Sequence, residues 1–379
     1  MPSYHILPKS PLLFRDARQF GANEQAETLA FPLPSTLSGA LRTAYGDENK
    51  IDFSTQASEL LNHSVAGPLL TQIDMGNQAT TSVLLPAPAD AIVFAEEGKA
   101  IIHRLKPGLI GEGEGTDLPQ HLKPVSLVNH SQAKPEKHPP KFWWVDKMVD
   151  WLTDETLDLV DASTFGTQGL PVEHRTHIAM DNQLLTAENS KLFQTASLDF
   201  GEQRGDDADQ TQWRHRYGLV VNSGIELKNN YRRIGGESRL AYIERDDTLW
   251  PVMPSALLSA LKNNQCFRIQ FVTPAIFKQG WLPDWLNDQL QGVMPGLNQR
   301  VQLHALALPR WQAVSGWDML KKQHGQRPTR RMVPAGSVYW FELLSTESAA
   351  FECLWLQCLS DERSQDGFGL VVPGIWNPD

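Results

Sequence analysis

The chain of 379 residues carries three cysteines, Cys266, Cys353 and Cys358, with no CxxC pair among them. An odd number without paired spacing argues against a disulfide framework and a zinc ribbon, and it fits a reducing cytoplasm. No stretch reaches the roughly 18–20 uncharged apolar residues that a membrane-spanning helix needs. The opening MPSYHILPKSPLLF has no basic region leading into an apolar run, so no secretion signal is expected. Positive charge is also in deficit, with a formal net charge of −10. Nucleic-acid binders usually show the opposite balance, because neutralising phosphates supplies much of their affinity. Common enzyme signatures are missing too: there is no Walker A pattern, no GxGxxG after a strand, no HExxH, no nucleophile elbow and no GGDD-type metal motif.

What is present is an ordinary globular composition, 41% apolar and 21% charged, over a length that suggests two or three domains. The charge is segregated. From Arg310 to Arg331 stand Arg310, Lys321, Lys322, Arg327, Arg330 and Arg331 against the single acid Asp318. From Trp213 to Arg239 stand Arg214, Arg216, Lys228, Arg232, Arg233 and Arg239 against Glu226 and Glu237, whereas Asp199–Asp209 is acidic. A binding groove responds to the local field, not to the sum, so this pattern permits a nucleic-acid interface without demanding one.

Alternation predicts strands at Tyr4–Leu7, Pro68–Ile73, Thr81–Leu85, Ala91–Phe94 and Ala100–Leu105, the last two joined hairpin-fashion by EEGK. Pro34 and Ser35 predict a helix start, with Leu37, Ala40, Leu41 and Ala44 on one face and Gly46 at its end. Residues 106–140 read as an irregular insertion, followed by a short amphipathic helix at Trp143–Leu152. In the second half, strands are expected at Gly218–Asn222, Arg239–Glu244, Phe267–Thr273, Val301–Leu308, Ser337–Leu343 and Phe351–Gln357, with helices at Pro254–Lys262 and Leu282–Leu290. The repeated strand–helix–strand–strand rhythm predicts an α+β chain of two split βαβ units.

Several motifs carry candidate chemistry, each with an ordinary structural reading beside it. FRDARQF sets Arg15 and Arg18 around Asp16, which suits either a phosphate or a surface turn. FPLPSTLSGALRTA places Ser35, Ser38 and Arg42 within helical reach of one another, an arrangement fit for a phosphate at a helix N-terminus or for plain capping. PVEHRTHI holds Arg175 and the pair His174 and His177; no third ligand accompanies them, so metal binding is not expected, while a histidine could act as an acid or base in RNA cleavage. RIGGESRL sets two glycines beside Arg239, allowing close backbone approach or a tight turn. SGWDMLKKQHGQRPTRRM joins Trp317 to a basic loop, the pairing of stacking surface and charge that single-stranded nucleic acid needs. DGFGLVVPGIW is a Gly-rich turn feeding an apolar strand.

In this order the motifs closely resemble one family: the RAMP subunit of type III-B (Cmr) CRISPR effector complexes that caps the 5′ tag of the guide RNA. The resemblance implies two ferredoxin-like RAMP domains, at residues 1–209 with an insertion at about 106–170 and at residues 210–379 ending in the Gly-rich loop. It implies a cytoplasmic, non-catalytic ribonucleoprotein role with no cofactor or metal. Its partners would be the guide RNA, the large polymerase-like subunit and adjacent backbone RAMP subunits, with no membrane contact and no homo-oligomer. The implied tag contacts are Arg15, Arg18, Ser38 and Arg42, then Arg175 and His177 on a hairpin. Arg239, Lys322, Arg330 and Arg331 would follow, with the backbone amides of Gly367 and Gly369. The motif ARQF lacks the glycine expected before Arg18. Two alternatives stand beside this reading: a metal-independent guide-processing RAMP nuclease using His174 or His177, and a scaffold protein whose basic loops meet an acidic surface.

Overall fold

In SYHILP the side chains of Tyr4 and Ile6 alternate with Ser3 and His5, and in the computed structural model this segment is β1 (Ser3–Pro8). Residues 1–15, 28–76, 80–181, 183–206, 212–262, 264–318, 325–345 and 349–378 are described. The chain forms two compact units, each assembled from three separated stretches. The first comprises Met1–Thr81, Leu170–Leu249 and Ala313–Arg330; the second comprises Ser82–Gly169, Trp250–Gln312 and Arg331–Asp379. A single cut near residue 209 does not describe these units, because strand pairing ties the N-terminus to residues beyond 209 and the insertion packs within the second unit.

In the first unit β1 is joined by helix α1 (Pro34–Glu48), β2 (Val65–Asp74), β3 (Gln212–Ser223) and β4 (Leu240–Arg245). The strands lie in the order β4-β1-β3-β2, every neighbour antiparallel, and the short strand Asn230–Arg233 extends the edge beyond β4. One face carries Tyr4, Ile6, Leu70, Leu219, Val221 and Ile243, all buried, as are Leu37 and Leu41 of α1. Each fully buried leucine of this kind contributes about 1.5–3 kcal/mol. The Tyr4 hydroxyl donates to the Ile225 carbonyl (2.9 Å) and accepts from the Leu227 N–H (2.8 Å). α1 runs past Gly46, which is there for space: a Cβ would stand 2.5 Å from the Phe53 ring.

The opposite face of this sheet buries a polar pair, His5 and Thr71. His5 Nε2 lies 2.9 Å from Thr71 Oγ1, and Gly218 leaves room for both, since a Cβ there would meet each at 2.8 Å. Burial pushes the His5 imidazole down to about 4.

The second unit repeats the order. Its strands are β5 (Cys266–Phe271), β6 (Gln299–Ala307), β7 (Val338–Leu343) and β8 (Leu370–Ile375), arranged β8-β5-β7-β6 and again antiparallel throughout. Phe267, Phe341 and Phe351 pack ring to ring in its core, and the amphipathic segment expected at Trp143–Leu152 is α2 (Val145–Thr153). A further helix, α3 (Ser255–Leu261), precedes β5.

Charge is buried here. The Arg268 guanidinium pairs with Asp90 and donates to the Trp151 carbonyl (2.5 Å). The Trp151 indole N–H donates back to Asp90 (3.0 Å), and Arg104 lies 3.4 Å from the Trp151 ring while donating to the Leu157 and Asp154 carbonyls. This network ties the hairpin of strands Ala91–Glu96 and Lys99–Pro107, together with α2, to β5.

Two expected elements differ. Leu282–Leu290 is a chain of turns, not a helix: the Asn287 side chain accepts the N–H groups of Gln289 and Gln291, offering the backbone an alternative to helical bonds, and Leu290 is left-handed (φ 59°). Phe351–Leu354 is a 3₁₀ turn, not a strand, with Phe351 and Leu354 both buried. No helix among the described residues is long and apolar enough to cross a membrane.

Two predictions follow from these buried groups. Asp90→Ala strands the Arg268 charge and should cost about 3–5 kcal/mol in chemical denaturation. For His5, the unfolded state binds a proton near the ordinary imidazole value while the fold resists protonation until about pH 4. Stability is therefore complete above pH 6.5 and falls between pH 6.5 and 4, by about 3 kcal/mol, a slope that His5→Gln should flatten.

Candidate nucleic-acid interface

Directly after β1 the chain runs along the base of a hairpin formed by strands Val172–Met180 and Ala187–Leu198, with Leu12 bridging Leu198. Leu12, Leu13 and Phe14 are buried, which brings Arg15 to the surface at their end. The Gly235–Gly236 loop then closes over them. Gly236 N–H donates to the Leu13 carbonyl (2.9 Å), and Gly235, with φ +74°, stands where a Cβ would be 2.8 Å from that same oxygen. The two glycines thus serve a close approach of backbone to backbone. Arg239, at the end of this loop, is half-buried and paired with Glu237 (2.7 Å).

Arg175 stands exposed on the hairpin, bonded to Glu173 (2.8 Å). That bond raises the guanidinium pKa above its usual value, with the field of Glu237 adding in the same direction. His177 stacks on Phe193, with centroids 5.2 Å apart, and lies 2.9 Å from Thr195 Oγ1. The hairpin's other face presents Ile178 and Leu192, 52% and 63% exposed and directly opposite one another. His174 and His177, three residues apart on a strand, point to opposite faces and cannot share a metal or a scissile bond.

The structure therefore brings Arg15, Arg175, His177 and Arg239 around one stretch of the first unit: the hairpin and the loop at its base. It withdraws others. Ser38 and Arg42 face inward from α1, 1% and 6% exposed. The Ser38 hydroxyl bonds the Ser35 carbonyl (3.3 Å), and the Arg42 guanidinium holds the His63 carbonyl (2.8 and 3.1 Å). The helical spacing read as a phosphate site is the core-facing side of the helix.

Gly367 and Gly369 are buried and their amides are already used, by the Ser364 carbonyl (3.0 Å) and the Pro274 carbonyl (2.8 Å). Both have positive φ, and a Cβ on Gly369 would lie 2.4 Å from the Ser360 nitrogen. Gly369 is thus required for close packing against Ser360, and Gly367 for its left-handed backbone. Arg18, Lys321 and Lys322 lie outside the described residues, as does the Trp317 side chain. Arg330 is exposed in the first unit; Arg331 is exposed in the second, 5.0 Å over the ring of Trp311. Trp311, Phe193, Tyr231 and Tyr242 are aromatic surfaces the motifs did not single out. Only alternation along their strands, or an adjacent Arg310 in the case of Trp311, signalled them.

Comparison with known proteins follows the same lines. Over residues 4–376 the chain matches the family described as CRISPR-associated protein (Cas_Cmr3). Among solved structures it is similar to a chain of the "Cryo-EM structure of the Type III-B Cmr-beta bound to cognate target RNA and AMPPnP, state 1", at 16% identity and TM-score 0.47, over 89% of this chain and 86% of that one. A second, of Type III-B Cmr-beta bound to cognate target RNA, gives 15% identity and TM-score 0.46 with the same coverages. No curated protein matches. With the match running from β1 through β8, the chain belongs to the Cas_Cmr3 family of CRISPR-associated proteins.

Proposed function

We propose that this chain is a non-catalytic, cytoplasmic RNA-binding subunit of a type III-B Cmr complex, holding the 5′ tag of the guide RNA and bridging the large polymerase-like subunit to the adjacent RAMP subunits. The observation that carries this reading is the convergence of Arg15, Arg175 and Arg239 about the base of an exposed hairpin, with the stacked His177–Phe193 pair farther along it. Guanidinium groups suit phosphates, and an accessible ring suits an unstacked base. The family membership supports the same assignment.

We read each unit as a ferredoxin-like RAMP domain. The support is the shared antiparallel order, β4-β1-β3-β2 and β8-β5-β7-β6, which is that of a split βαβ unit with most crossover helices replaced by loops and turns. In this reading Arg330 is a further exposed cation of the first unit and Arg331 an exposed cation of the second, whereas Ser38 and Arg42 act through the fold of the first unit and Gly367 and Gly369 through that of the second.

The test is binding of labelled guide RNA by the chain co-purified with its large-subunit partner, using a native and a scrambled tag across a salt series. Tighter binding of the native tag, without cleavage, is expected. Arg175→Ala and Arg239→Ala should each weaken binding and reduce the salt slope by about 1, whereas Arg42→Ala should lower the melting temperature. RNA cutting abolished by His177→Ala would make the chain a processing nuclease. Absence of RNA binding at low salt would leave only a scaffold.

A further inference from the structure

We propose that Tyr231 and Tyr242, on the outer edge of the first sheet, form a stacking site for an unpaired base of a single RNA strand, with Lys9 and Arg233 on its phosphates. This rests on the RNA-binding reading but concerns residues outside the hairpin and the Gly-Gly loop.

Tyr231 of the edge strand Asn230–Arg233 is paired directly opposite Tyr242 of β4, with ring centroids 5.0 Å apart. Neither ring enters the core, which β4 reaches through Ala241 and Ile243. Tyr231 is 52% exposed, an unusual cost for a large ring at the last strand of a sheet. A cross-strand aromatic pair can simply stabilise a sheet, by roughly 0.2–1 kcal/mol. Here, however, the pair is set among cations. The Lys9 amine lies 5.8 and 5.9 Å from the two ring centroids, and Arg233, two residues from Tyr231, shares its face of the strand. Among the described residues neither Lys9 nor Arg233 has a carboxylate partner, and Glu244, on the face of β4 that Tyr242 shares, lies 3.8 Å from the His5 imidazole. An open ring flanked by unpaired cations is the combination that binds a base and its phosphates without reading sequence. An acidic protein surface would be drawn to the cations but would leave the exposed ring without a matching partner.

The experiment uses the chain assembled with its Cmr partners and a guide RNA in which successive nucleotides are replaced singly by abasic ribose. One abasic position should weaken binding about tenfold, as loss of one stacked base does. Tyr231→Ala should weaken the intact guide by the same factor and lose all further sensitivity at that position, while Tyr231→Phe keeps both. If Tyr231→Ala binds the intact guide as wild type does while Arg175→Ala weakens it, the stacking site is refuted and the RNA-binding reading stands. If the wild-type assembly binds no RNA, both fall. If Tyr231→Ala leaves the melting temperature unchanged but the chain no longer co-purifies with its partners, the patch docks protein and the stacking site is refuted.

Discussion

The capture of β1 between β3 and β4 is the constraint on which the first unit depends. β1 is six residues long, yet its Tyr4 reaches Ile225, 221 residues away in sequence, and its partners on either side come from the far end of the unit. Closing so long a loop carries an entropic penalty that grows only slowly with length, and the apolar face closed over α1 offsets it. Once β1 is placed, the next residues have little freedom. Leu12–Phe14 must lie along the hairpin base, the Gly235–Gly236 loop can approach them only because it lacks side chains, and Arg15 and Arg239 are delivered to that region from opposite ends of the unit. The candidate interface is thus a by-product of strand order, which is why no single motif contains it.

The strands were the readable part of the sequence. Strand-like patterning marks six of the eight central strands to within a few residues and about half of β3, because each buries one face or both, while β8 reads only as an apolar run after a Gly-rich turn. The repeated rhythm also foreshadowed the shared strand order. What alternation could not show was the competition that decides irregular segments. An Asn287 side chain able to cap its own backbone overrides the apolar pattern of Leu282–Leu290, and buried positions at Phe351 and Leu354 suit a turn as well as a strand. Domain membership was equally hidden, since the insertion is fastened by Asp90, Arg104 and Arg268, three charged residues that look like surface in a sequence.

The site residues divide for the same reason. Arg175 is exposed on a strand, and Arg239 is half-buried beside a glycine turn. Ser38 and Arg42 face inward, which spacing alone does not show, because a helix presents its inward and outward residues at identical spacing and only the sheet beneath decides which is which. The amides of Gly367 and Gly369 are taken by the Ser364 and Pro274 carbonyls, and Gly369 is packed tightly against Ser360. A glycine motif announces that two backbones meet; it does not announce whether one belongs to a ligand.

Among the described residues, the arginines of this acidic chain that pair with carboxylates include two contrasting kinds. Arg268, fully buried against Asp90, is held by a pair whose loss would leave a charge in the interior, and it is permanently committed. Arg175, Arg204, Arg214, Arg239 and Arg245 instead sit against carboxylates mostly two residues away or on the neighbouring strand, and most of these side chains are open to water. Glu202, accepting from both Arg204 and Arg214, is held down to about 2, so it stays charged under all ordinary conditions. Such solvent-exposed pairs are worth about 0–1 kcal/mol each. A phosphate can replace a carboxylate in them at little energetic loss, while their presence keeps the free protein from attracting any polyanion at random. On the proposed function, a net charge of −10 is then compatible with RNA binding: the exposed arginines would be screened by neighbouring acids until a strand of the right path met several of them at once.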